Sequence, residues 1–157
     1  PRREPPRRRS DSGDPLATIR ERSLAVLHDL GSNPRMQRVF DIMTHKCEYV
    51  DDMAPLRDRH MECRGECVGN IEESFRCAIE QGALPKDVDP RLAAIGLHAL
   101  IDGLIMNWLL EPAYFSFERD AAPMVDTYLR GLATAPVKAA RAPSAVKAAP
   151  AKKARKK

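Results

Sequence analysis

Apolar residues recur along most of the chain at helical spacing, and no segment alternates with period two for long. The pattern predicts an all-helical protein, a bundle of about five helices. Leu16, Ile19, Ser23, Val26, Leu27 and Leu30 mark the inner side of a first helix, with Asp14 as cap, Pro15 at the first position and Gly31 at the end. Ser32 and Asn33 then cap a second, opened by Pro34. Its buried side is expected to hold Met36, Val39, Phe40, Met43 and Cys47, and it runs into HKCEYVDDM, residues 45–53. Between Pro55 and Gly82 no proline intervenes, so one long helix is expected despite Gly65 and Gly69, with Leu56, His60, Cys63, Cys67, Ile71, Ser74 and Ala78 on one stripe. GALPKDVDP, residues 82–90, is the break before the next helix. After Pro112, a last helix carries Met124, Tyr128 and Gly131 on one side.

The dominant stretch is RLAAIGLHALIDGLIMNWLLEP, Arg91 to Pro112. From Leu92 to Leu110 it is apolar except for His98, Asp102 and Asn107, so it must be buried on most sides. At 100° per residue, His98, Ile101, Asp102, Ile105 and Leu109 share one stripe, while Gly96, Ala99, Leu100, Gly103 and Asn107 share another. The first stripe sets two polar side chains among aliphatic ones. The second is built of small residues that admit another helix, and the side bearing Met124, Tyr128 and Gly131 is a candidate to pair with it. We read a helix between a cavity and a packed helix interface. A membrane span is the rival reading, because about 20 apolar residues cross a bilayer. Against it, Asp102 near the centre costs roughly 2.5 to 3.5 kcal/mol on insertion scales, no second run of similar length exists, and no signal peptide is recognisable.

At 157 residues the chain is long enough for one domain with a real core. That domain is expected over 15–135, between an arginine-rich linker at 1–14 and a Lys/Ala/Pro-rich tail at 136–157, both too poor in apolar residues to fold alone. The net charge of +4 hides a segregation: residues 1–9 carry five arginines and Glu4, and 136–157 carry eight Lys or Arg and no acid. Residues 10–135 hold 13 basic and 21 acidic residues, a balance of −8. The body is acidic and only the ends are basic. The four cysteines, Cys47, Cys63, Cys67 and Cys77, sit within helical patterns, which suits reduced thiols in the cytoplasm.

Three constellations could carry chemistry. His60, Cys63 and Cys67 place an imidazole and two thiols on one helical face, with Cys47 a conceivable fourth ligand for zinc or copper(I). The spacing is not the paired CxxC of structural zinc sites, and buried cysteine is commonly a small hydrophobe, so no metal site is assigned. His98 and Asp102 stand one turn apart on an apolar helix. Without a nucleophile or second carboxylate motif they read either as a satisfied polar pair in the core or as anchors in an apolar ligand cavity, and no cofactor motif or catalytic set is present. The basic tail resembles those of linker histones in composition. It suits non-specific, salt-dependent contact with nucleic acid or serves only for solubility.

HKCEYVDDM and DGLIMNWLLEP resemble signature stretches of TetR-family repressors, in the AcrR/TtgR-like branch that controls multidrug efflux pumps. The likeness runs from about Asp14, through residues 45–53 and the QGALPKDVDPRLAA junction, to about Ala135. It implies a non-enzymatic, all-helical regulatory domain that dimerises through its last two helices as a four-helix bundle and holds hydrophobic drug-like compounds. Pocket positions of that branch fall here on Ile19, Val26, Phe40, Thr44, Cys67, His98, Ile101, Asp102 and Ile105; Ile71, on the stripe with Cys67, is counted with them. Gly96, Ala99, Gly103, Met124, Tyr128 and Gly131 are the expected dimer face. Phe40 and Thr44 stand where relatives often place polar Asn and His, so ligand preference should differ. The family also begins with a three-helix DNA-binding domain carrying a helix-turn-helix, and no such pattern precedes Pro15. The expectation is a regulatory domain, either cut from a longer repressor or headless, that meets operator DNA only through a separate N-terminal domain.

Overall fold

The structure is a computed structural model that describes residues 13–42 and 54–134, the Leu56 side chain excepted. Thr44, Met43, Cys47, the rest of the 45–53 stretch and both basic ends lie outside the described residues. Within them the chain forms five helices and no strand: α1 (Pro15–Ser32), α2 (Pro34–Asp41), α3 (Ala54–Glu80), α4 (Pro90–Leu110) and α5 (Phe117–Ala133).

The starts are dictated locally. Asp14 accepts a hydrogen bond from the Leu16 N–H, Asn33 from those of Arg35 and Met36, and Asp89 from those of Arg91 and Leu92; each cap is followed by a proline. Proline at the first position gives up a donor that has no intrahelical partner anyway. Gly31 does not end α1, which continues to Ser32. The stop is made by Asn33, whose extended backbone begins α2, and by Gln37, whose amide donates to the carbonyls of Leu30 and Gly31 at 2.9 and 3.0 Å. Gly82, at φ +76°, closes α3 in the left-handed conformation that glycine adopts without strain.

Two antiparallel pairs make the bundle. Along α1 and α5, Arg20 meets Asp126 near one end and Gly31 approaches Phe117 at the other. Along α3 and α4, Glu72 accepts from Arg91 at 3.2 Å, and Cys67 lies near enough to Asp102 to feel its charge. The core gathers where the pairs overlap: Leu27 and Leu30 of α1, Phe75 and Ala78 of α3, Ala94 and Leu97 of α4, and Val125 of α5 are all essentially without solvent contact. Full burial of one such leucine contributes about 1.5–3 kcal/mol.

Burial departs from the sequence stripes in three places. Phe75, absent from the expected α3 stripe, is a centre of the core, whereas α3 from Arg57 to Cys67 is exposed. Val39, expected on the buried side of α2, is exposed, and that helix buries no residue fully; Met36 and Phe40 are half-buried against the core. Among the described residues α4 alone is long and apolar enough to cross a membrane, yet only 22% of its apolar window is buried within the chain. Leu92, Ile95, Met106 and Leu110 are the large apolar residues of this helix that the chain leaves exposed.

Candidate functional site

The side of α4 that faces α3 carries the polar pair. His98 and Asp102, one turn apart, are joined by a contact of 3.0 Å between Nδ1 and Oδ2. The His98 side chain is 17% exposed and that of Asp102 is 51% exposed, so the pair reaches from the edge of the core towards solvent. Partial burial raises the Asp102 carboxyl above its ordinary pKa, opposed by the nearby His98, His60 and Arg64. Shielding also pushes the Cys67 thiol up, with the Asp102 charge adding to it, which disfavours the reactive thiolate. Basic side chains of α3 and α4 thus converge on a single carboxylate. Among the described residues, no group of three His, Cys, Asp or Glu side chains could hold a metal ion; Cys63 and Cys67 are free and exposed.

The residues expected to meet a ligand fall into three kinds of place. Ile19 and Ile105 are buried in the core, at 4% and 2% exposure. Phe40, Ile71 and Ile101 are half-buried against it beside His98 in degree of exposure, and Cys67, Asp102 and Val26 are exposed. Neither of the two clefts described below is lined by any of them, and Thr44 lies outside the described residues. Arg64, which the sequence stripes omitted, is drawn into the site because it lies only 40° around the helix from His60.

The expected dimer positions also divide. Tyr128 lies over Gly96 so closely that a Cβ there would overlap its hydroxyl, which donates to the Ala93 carbonyl at 2.7 Å. Burial raises the Tyr128 pKa, opposed by a backbone hydrogen bond from Leu97. Ala99, Gly103 and Met124 instead line an open groove of about 360 Å³ between α4 and α5, and a Cβ on Gly103 or on exposed Gly131 would meet nothing. Along that side Leu92, Ile95, Ala99, Met106 and Leu110 form an exposed apolar stripe the length of α4.

A larger cleft, about 630 Å³, escaped the sequence reading. It lies between the end of α1 and the segment from Pro112 to Ala122, with Trp108 stacked on Phe117 at 4.9 Å on its apolar wall and His28, Glu118 and Arg119 around it. The four aromatic residues within 108–117 were the available signal.

The described residues form an all-helical bundle, and comparison with known proteins identifies its kind. The family described as MAATS-type transcriptional repressor, C-terminal region, matches residues 14–134. The chain belongs to this group of TetR-family repressors, which are not enzymes, and represents their C-terminal region. It is 35% identical over 126 residues to the HTH-type transcriptional regulator TtgR of Pseudomonas putida, covering 80% of this chain and 60% of that protein. To the HTH-type transcriptional regulator AcrR of Shigella flexneri it is 34% identical over 113 residues, covering 72% and 53%. Among solved structures, NalD, the secondary repressor of the MexAB-OprM multidrug efflux pump in Pseudomonas aeruginosa, superposes with a TM-score of 0.72 at 27% identity, covering 78% of this chain and 62% of NalD. MexZ, a repressor responsible for antibiotic resistance in the same organism, gives 0.68 at 28% identity, covering 85% and 66%. The chain spans a little over half the length of the curated relatives it matches.

Proposed function

We propose that this chain is the effector-sensing and dimerisation region of a TetR-family repressor that controls a multidrug efflux operon. The observation that carries the reading is the double character of α4: a half-buried His98–Asp102 pair towards α3, and an uncovered apolar stripe from Leu92 to Leu110 on another side. A hydrophobic, drug-like molecule would lie against Ile71, Ile101 and the polar pair, with Phe40, Thr44, Val26 and Cys67 contributing as it settles. Ligand sites combine apolar surface with a few polar anchors in this way. A second copy of the chain would cover the stripe, with Ala99, Gly103, Met124 and Gly131 at the seam.

The effector would act by binding one packing of α3 against α4 better than another, since a ligand shifts an equilibrium only by its unequal affinity for the two states. Reading the operator falls to the part of the relatives that this chain does not span, and the setting is the cytoplasm, where such DNA is found. The names of TtgR, NalD and MexZ support the reading for their own proteins, and the match of folds and motifs extends it here.

The test joins light scattering to thermal denaturation with an apolar aromatic drug. The expected result is a dimer at micromolar concentration and a raised melting temperature, with the rise reduced in Asp102→Ala and Ile101→Trp. Ile105→Trp is a poor probe, because Ile105 is 2% exposed and a larger side chain would disturb the core. A monomer, or a drug response unchanged in both variants, rejects the proposal.

A further inference from the structure

The charges around Asp102 are unequal, and the inequality has a structural origin. On α3 the basic residues Arg57, His60 and Arg64 lie within about 60° of one another around the helix axis, together with Cys67 and Ile71, while Asp58, Glu62 and Glu66 point to the opposite side. Arg57 is satisfied by Asp58, Arg59 by Glu62, and Arg76 by Glu72 and Glu73. Arg64 has no carboxylate at ion-pair distance among the described residues; its guanidinium donates only to the Met61 sulfur, at 3.1 Å. Across from it, Asp102 is held by His98. The face therefore offers a guanidinium with unused donors, two imidazoles and one acid that already has a partner.

We propose that the effector face between α3 and α4 selects an apolar organic acid, a carboxylate on an aromatic or aliphatic body, over a lipophilic cation. The carboxylate would take Arg64, whose planar fork matches two oxygens and whose charge persists at every working pH. His60 and His98 would flank it, and the apolar body would lie along Ile71 and Ile101. A cation would instead have to displace His98 from Asp102 while facing the positive edge of α3. This inference rests on the effector site proposed above.

Calorimetric titration of the full chain with three molecules of one shape separates the two: 2-naphthoate, its neutral amide 2-naphthamide, and the cation 2-naphthylmethylammonium. Naphthoate is expected to bind roughly tenfold more tightly than the amide, as a charge-assisted pair to an arginine implies, and the ammonium most weakly. Arg64→Gln should weaken naphthoate far more than the amide, bringing the two to near parity, with the melting temperature unchanged because Arg64 is exposed. Equal binding of acid and amide to the unaltered chain, or tightest binding of the ammonium, overturns the preference for acids; the effector site itself then stands if Ile101→Trp still weakens the amide. Loss of that sensitivity, or no binding by any of the three, overturns the site and the preference together.

Discussion

The two antiparallel pairs in this bundle are built to different standards. Along α1 and α5 the contact is closed: Ile19, Leu27 and Leu30 of α1 and Ala121, Val125 and Leu129 of α5 are all buried, and Arg20 bridges to Asp126 with hydrogen bonds of 2.5 and 3.1 Å. Along α3 and α4 it is closed only in one half. Phe75 and Ala78 pack on the first turns of α4, but towards Cys67 and Asp102 the same helices become polar and exposed. Buried apolar packing is concentrated in one half of the molecule, and the effector face proposed above sits in the other. Local openings are cheapest where few apolar contacts must break, so the open half of α3 and α4 is where binding can change packing without unfolding the chain.

The strongest way to break this contrast is to truncate one side chain in each half. Phe75→Ala should lower unfolding free energy by about 3–5 kcal/mol, the cost of a large buried side chain plus its cavity. Cys67→Ala should change it by no more than about 0.5 kcal/mol. Urea denaturation of both variants is the measurement, and comparable losses would mean that the open half is as tightly packed as the core. Next in size is a pair of glycines on one helix. Gly96→Ala drives a methyl group into Tyr128 and should cost about 1–3 kcal/mol. Gly103→Ala meets nothing within the chain and should add up to about 1 kcal/mol of helix stability; if a second copy covers that groove, the same change weakens the dimer, which sedimentation would register.

The smallest effect is electrostatic. The hydrogen bond from Arg20 holds the Asp126 carboxyl below its usual range, and Asp120 is held down to about 2 by Arg119 and by the Ser116 N–H at the start of α5. A carboxyl depressed by folding stabilises the protein above its unfolded pKa of about 3.9 and loses that contribution as pH falls through the folded value. Asp126→Asn should therefore cost about 0–1 kcal/mol near pH 7, the range for exposed pairs, and the difference should fade as pH falls below the ordinary carboxylate range. Asp102 has the opposite sign: its pKa is raised on folding, so its charged form opposes stability as pH rises above the ordinary carboxylate range. Acid titrations of Asp126→Asn and Asp102→Asn followed by circular dichroism should bend in opposite directions.

Much of the fold was legible because helix starts are local chemistry. Asp14, Asn33 and Asp89, each followed by proline, cap as their sequence patterns require, and α4 occupies the stretch that its apolar run announced. What periodicity could not supply was depth. Ile105 and Asp102 share a stripe, yet one is sealed and the other half in water: about 60° of rotation around the axis separates them, and that is enough to cross from core to surface. Spacing likewise grouped Gly96 with Gly103. Only the fold distinguishes them: the first accommodates a tyrosine of its own chain and the second borders an open groove. Phe75 was missed for the converse reason, since its neighbours in the stripe were weakly apolar and the helices that bury it come from distant parts of the sequence.

The opposed run of α1 and α5 also settles the electrical geometry of the chain. Because Arg20 sits beside Asp126, Asp14 and Thr134 are at the same pole of the bundle. The segment with five arginines and the one with eight Lys or Arg are thereby joined to an acidic body at neighbouring points, although they are the opposite termini of the printed sequence. The two points at which the basic ends leave the described bundle are thus neighbours in space, a closeness set by how two helices pack.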